Sequence, residues 1–166
     1  MMLGDYIRLA RNAPPRNRGR GFTLVEMAMT GTCLALLTAI AVPSYARIMQ
    51  KTQVSQCVTD LSKIALRIQG YTIANGSAPM SLNDLGMTLP KDPWGRDYRF
   101  LNFNSPDPGV SGQIRKDHNL HPLNTEYDLY SVGKDGSSAA ALTARSSRDD
   151  VIWARDGAFV GLASDY

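Results

Sequence analysis

Residues 22–46 form a long apolar run in which Glu26 is the only charged residue among 25. That length predicts a membrane-spanning helix. Pro43, near its end, predicts a kink or a loosened turn, and Gly31-Thr32 a second weak point, although membrane helices tolerate both. From Arg47 the pattern changes. Val54, Val58, Leu61, Ala65 and Ile68 recur at a 4-3-4-3 spacing, which predicts an amphipathic continuation of the helix to about Ala74 with one apolar stripe. Lys51, Asp60, Lys63 and Arg67 fall off that stripe, and Asn75-Gly76 reads as the C-terminal stop.

Residues 77–166 change to short alternating segments. Arg96–Phe103 is a predicted strand, with Tyr98 and Phe100 on one face and Leu101 and Phe103 on the other. Thr125–Val132, rich in aromatic and β-branched residues, is another. Val151–Arg155 and Ala158–Leu162 flank Asp156-Gly157, a hairpin signal. The polar stretch Asn104–Leu123, with Pro106, Pro108, Gly109 and Gly112, reads as a long loop. The fold class is α+β: a long N-terminal α-helix, membrane-spanning in its first half, packed by its second half on a small antiparallel β-sheet head.

Charge then changes the reading of the first 21 residues. Arg8, Arg11, Arg16, Arg18 and Arg20 lie there with one acid, Asp5. Taking those five and one from the totals of 18 basic and 15 acidic side chains leaves 13 and 14, a net of −1. The basicity belongs to a leader of residues 1–21, read as mostly unstructured, and not to a nucleic-acid footprint on the folded head. Arginines ahead of an apolar span keep the leader in the cytoplasm and send the C-terminal domain across the membrane. An ordinary secretory signal would be cut after the apolar core, near Ala39, Ala41 or Ser44, but a carboxylate inside that core counts against it. Cys33 and Cys57 would stand about 36 Å apart on one helix, too far to pair, and are read as free thiols.

Glu26 is costly at membrane depth and calls for a partner. The sequence Arg18-Gly19-Arg20-Gly21-Phe22-Thr23-Leu24-Val25-Glu26-Met27 closely resembles the class III signal of type IV pilins and of the pseudopilins of type II secretion systems. The resemblance implies that a prepilin peptidase cuts between Gly21 and Phe22 and N-methylates Phe22. It implies also that Glu26 meets the terminal amine of a neighbouring subunit during assembly. Lys91-Asp92-Pro93-Trp94-Gly95 looks like the turn common in the major, or G-type, pseudopilins, with Trp94 expected to bury against the helix. Ser131-Val132-Gly133-Lys134-Asp135-Gly136-Ser137, followed by Asp149-Asp150 and Trp153, resembles their calcium loop. Carried over by position, the calcium ligands are the side chains of Asp135, Asp149 and Asp150 with the carbonyls of Val132 and Ser137. Calcium takes six to eight oxygen ligands of this kind. The intervening Ser138–Arg148 departs from the family in being long and Ala/Ser-rich, and either Arg145 or Arg148 is placed to neutralise the acids instead of a metal.

The function the resemblance implies is mechanical rather than enzymatic: a single-pass inner-membrane subunit with its head in the periplasm. Copies assemble with minor pseudopilins into a helical homopolymer that drives protein export. An inner-membrane platform with a cytoplasmic ATPase supplies the energy. A type IV pilin for adhesion, motility or DNA uptake shares the N-terminal signal. Many such pilins close the C-terminal half with a cysteine loop, and no cysteine follows Cys57 here. A membrane-anchored extracytoplasmic enzyme or metal-binding module would rest on His118 and His121, two histidines three apart with no cysteine or glutamate beside them. No Ser/His/Asp set and no phosphate-cradling glycine loop stands out.

Mass spectrometry of the mature protein should find N-methyl-Phe22 as its first residue. Gly21→Trp should leave the chain uncut, whereas Gly21→Ala, still small, should be processed. A mature terminus near Ala46 would contradict this reading.

Overall fold

The computed structural model describes residues 21–118 and 120–166. The leader expectation for residues 1–20 lies outside the described residues, as does Asn119. The chain divides into two compact units between Ser44 and Tyr45. Helix α1, Leu24–Asn75, contributes to both, and Pro43 stands inside it without ending it.

In the first unit α1 is exposed along its whole length and is long and apolar enough to cross a membrane, with a mean hydropathy of 1.8 in its most apolar stretch. Its hydroxyls are turned back onto the helix. Thr30 donates to the Glu26 carbonyl at 2.7 Å, Thr32 to Ala28 at 2.8 Å, Thr38 to Leu34 at 2.9 Å and Ser44 to Ile40 at 2.9 Å. A hydroxyl satisfied within its own helix can face hydrocarbon without an orphaned donor.

The second unit is built around the remainder of α1. Four short strands, β1 (Arg99–Asn102), β2 (Tyr127–Ser131), β3 (Val151–Ala154) and β4 (Phe159–Leu162), form an antiparallel meander in the order β1-β2-β3-β4. Each lies within a segment predicted as a strand from its sequence. Leu61, Ala65 and Ile68 of the predicted stripe are buried, joined by Cys57 and Ile64, and they pack with Tyr98, Tyr127, Leu129, Val151 and Trp153. Tyr127 stacks on Trp153, ring centroids 4.9 Å apart. Burial pushes the Cys57 thiol up to about 11, so it is an inert core residue.

Three local readings change. Asp60 is not on the solvent face: it is buried and accepts from the Tyr98 hydroxyl at 3.3 Å. The stretch Asn104–Leu123 is not all loop, because Val110–Gln113 forms a one-turn helix, α2, that buries Val110. The β3–β4 turn is wider than the two residues Asp156-Gly157. Ala154 pairs with Phe159, and Arg155, Asp156 and Gly157 all take positive φ. The cause is tertiary: Asp156 accepts from the Thr125 amide at 2.9 Å and hydroxyl at 3.1 Å, tying the turn to the start of β2.

Leu61 has no exposed surface. Leu61→Ala should cost the second unit about 2–5 kcal/mol, read as a lowered midpoint in denaturant. Leu66→Ala, a change of the same size on the exposed side of α1, should cost well under half as much.

Candidate functional site

Three places carry the chemistry read from the sequence. The first is the start of α1. Gly21 and Phe22 precede the helix, both exposed. Thr23 and Glu26 form a capping box. The Thr23 amide and hydroxyl both donate to the Glu26 carboxylate at 2.9 Å, and the Glu26 amide donates back to the Thr23 hydroxyl at 3.2 Å. Glu26 thus has a partner within its own chain. The Thr-x-x-Glu spacing carries that signal, and a reading centred on membrane cost passes over it.

The second is the Asp92–Gly95 turn. Asp92 is buried and organises it: one carboxylate oxygen accepts from the Trp94 amide at 3.1 Å and the Arg96 amide at 2.7 Å, and the other from the Ser131 hydroxyl at 2.7 Å. Gly95 closes the turn with a φ of 87°. The turn is thereby fixed to the end of β2. Trp94 is half-buried and packs against the core that α1 helps to form.

The third is the acidic loop. Val132 is buried and Ser137 exposed. The Asp135 carboxylate accepts from the Ser137 amide at 2.7 Å, and the Asp149 carboxylate from the Asp135 amide at 2.8 Å. Asp149 and Asp135 are therefore neighbours through backbone. Asp150 turns away from both into the protein. It is fully buried, accepts from the Ser138 hydroxyl at 2.6 Å, and forms an ion pair with Arg115. Burial pushes the Asp150 carboxyl up to about 6, with the Arg115 guanidinium opposing that shift. Arg96 closes the loop from the other side, donating to the carbonyls of Gly133 at 2.7 Å and Lys134 at 3.3 Å.

The donor set does not fit a calcium ion in this arrangement. One of the three acids is committed to a guanidinium, and among the described residues no group of three or more His, Cys, Asp or Glu side chains gathers as a metal site. Arg145 and Arg148 are exposed and make no ion pair among the described residues. The cation at the acids is Arg115, which the sequence reading left unremarked in a polar loop. His118 sits on the neighbouring Asp117 at 2.8 Å, exposed.

Comparison with known proteins agrees with the motifs. A type II secretion system core protein G of Pectobacterium carotovorum is 26% identical over 140 residues, covering 72% of this chain and 78% of that protein. The core protein G of Klebsiella pneumoniae is 26% identical, with 72% and 87% covered, and that of Pseudomonas aeruginosa 25% identical over 147 residues, with 76% and 91% covered. The chain is similar to type II secretion system core protein G over about three quarters of its length. No protein-family model matches it, and no solved structure does. The similarity thus reaches well beyond residues 18–27, over about three quarters of the chain.

Gly133 anchors the loop. Its φ is 66°, and a Cβ there would overlap the Asp149 carbonyl and lie 2.7 Å from the Asp149 carboxylate. Gly133→Ala should destabilise the second unit by about 1–3 kcal/mol from backbone strain alone. Gly70→Ala, in α1 with open space around it, should be neutral or slightly stabilising. Denaturant midpoints of the two variants check both.

Proposed function

We propose that this chain is the structural subunit of a type II secretion pseudopilus. A prepilin peptidase removes residues 1–21 and methylates Phe22, residues 22–46 anchor the subunit singly in the inner membrane, and the head stands in the periplasm. The work is assembly. Subunits leave the bilayer, their apolar helix halves bundle in the core of a helical fibre, and the heads coat it. The partners are further copies of the chain, minor pseudopilins and an inner-membrane platform driven by a cytoplasmic ATPase. The growing fibre pushes exported proteins outward. The single observation that carries this reading is the similarity to core protein G over about three quarters of the chain.

The physical support lies in α1. An exposed apolar surface of this length needs either lipid or other helices against it, and the membrane and the fibre core supply each in turn. Glu26 is the one charge on that surface. Its capping box with Thr23 keeps the carboxylate hydrogen-bonded in the single subunit. Cleavage then leaves an amine on Phe22, and charge compensation favours bringing the two groups together between neighbours in a dry fibre core.

Substitutions separate the cap from the charge. Glu26→Gln keeps a hydrogen-bonding side chain and removes the charge, so the protein should still fractionate with the membrane while fibres and export fall at least about tenfold. Thr23→Ala weakens the cap by roughly 0.5–2 kcal/mol and keeps the charge, so fibres should persist. Normal fibre yield in Glu26→Gln would contradict the assembly role.

A further inference from the structure

Two arginines from outside the acidic loop converge on it. Arg115 precedes the segment that bridges to residue 141, where Lys116 donates to the Ala140 carbonyl at 2.9 Å and accepts from the Leu142 amide at 2.9 Å. That pairing lays Arg115 beside the residues between the loop and β3. Arg115 is only 2% exposed. One nitrogen donates to the Ser138 hydroxyl and, at 2.9 Å, to the Ala139 carbonyl, and another to Asp150. The guanidinium carbon lies 4.1 Å from the centre of the Tyr130 ring, a cation–π contact. The Arg115 backbone is fixed as well, its amide donating to the buried Asp128 carboxylate at 2.6 Å. Arg96 holds the opposite side through the Gly133 and Lys134 carbonyls.

We infer that Arg115 is the permanent cation of this loop, assisted by Arg96, and that the head folds and holds its last two strands without a divalent ion. The two guanidinium groups meet much of what a bound cation would meet, with Asp150 Oδ1 and Arg115 Nε left buried without a hydrogen-bond partner. They neutralise a buried carboxylate and bind carbonyls that face inward around it. A guanidinium presents several donors in a fixed fork and stays charged when buried, so it serves here where a lysine ammonium would not. The charge count agrees. With Asp150 paired, Asp135 and Asp149 each rest on a backbone amide near the surface, where water screens them. A divalent ion would have to displace Arg115 from a buried pair.

The test is a thermal melt of the full chain in detergent micelles, in excess calcium and in excess chelator. The inference expects midpoints that agree to about 1 °C. It also expects Arg115→Met, of similar size and uncharged, to melt more than about 10 °C lower, since it strands a buried carboxylate. Adding Asp150→Asn to that variant should recover at least half of the loss. A calcium-dependent rise of several degrees in the unmutated chain would overturn the inference and return the loop to a metal. So would an Arg115→Met chain as stable as the parent. The calcium measurement decides by itself if Arg115→Met does not fold. Neither result bears on the secretion reading, which rests on residues 18–46 and on the similarity to core protein G.

Discussion

The second half of α1 carries an apolar face that water will not tolerate, and the small sheet exists to cover it. Cys57, Leu61, Ile64, Ala65 and Ile68 lie against Tyr98, Tyr127, Leu129, Val151 and Trp153. Apolar burial at about 25 cal/mol per Å² is the largest favourable contribution available to a unit this small. A four-stranded meander of strands four or five residues long has little independent stability. The helix is therefore the template on which the strands order, and the loops are free to differ.

What those loops then have to manage is buried charge. Asp60, Asp92, Asp128 and Asp150 are all buried in the second unit. Each is answered by a specific donor: the Tyr98 hydroxyl, the Trp94 and Arg96 amides with Ser131, the Arg115 amide with Asn124, and the Arg115 guanidinium with Ser138. An unpaired carboxylate at such depth would cost several kcal/mol. Tyr98, Ser131, Arg115 and Ser138 are distant in sequence from the acids they answer, so these pairs fasten the Asp92 turn, the segment at residue 115 and the loop before β3 to the sheet. Cohesion at the edge of the head is thus polar and directional, while cohesion at its centre is apolar.

This division explains what could be read from the chain alone. The helix and its stripe follow from periodicity, and the four strands from residue composition and turn signals, all of which are local. The burial of Asp60 does not, because a periodic pattern assigns any acid to the solvent face and the Tyr98 hydroxyl that reverses this lies 38 positions away. Arg115 was hidden for the same reason, being 35 positions from Asp150 and set in a stretch whose prolines and glycines read as loop. Arg145 and Arg148 are nearer in sequence to the acids, yet are exposed and make no ion pair among the described residues. The Thr23–Glu26 cap was legible in principle, since its spacing is a helix-start signature, but the same glutamate also answers to a membrane argument. Of the N-terminal site, the described residues begin at Gly21, so the leader is legible only as sequence.

On the proposed function, one helix serves first lipid and then a fibre core. Electron cryomicroscopy of fibres formed by this chain in cells with a complete secretion apparatus tests it most directly. The account predicts residues 22–46 bundled at the fibre axis with the residue 77–166 heads outside, and the Glu26 carboxylate within hydrogen-bonding distance of a neighbour's Phe22 amine. Fibres built through the heads with residues 22–46 on the outside would contradict it, and so would a chain that stays monomeric in the membrane of such cells.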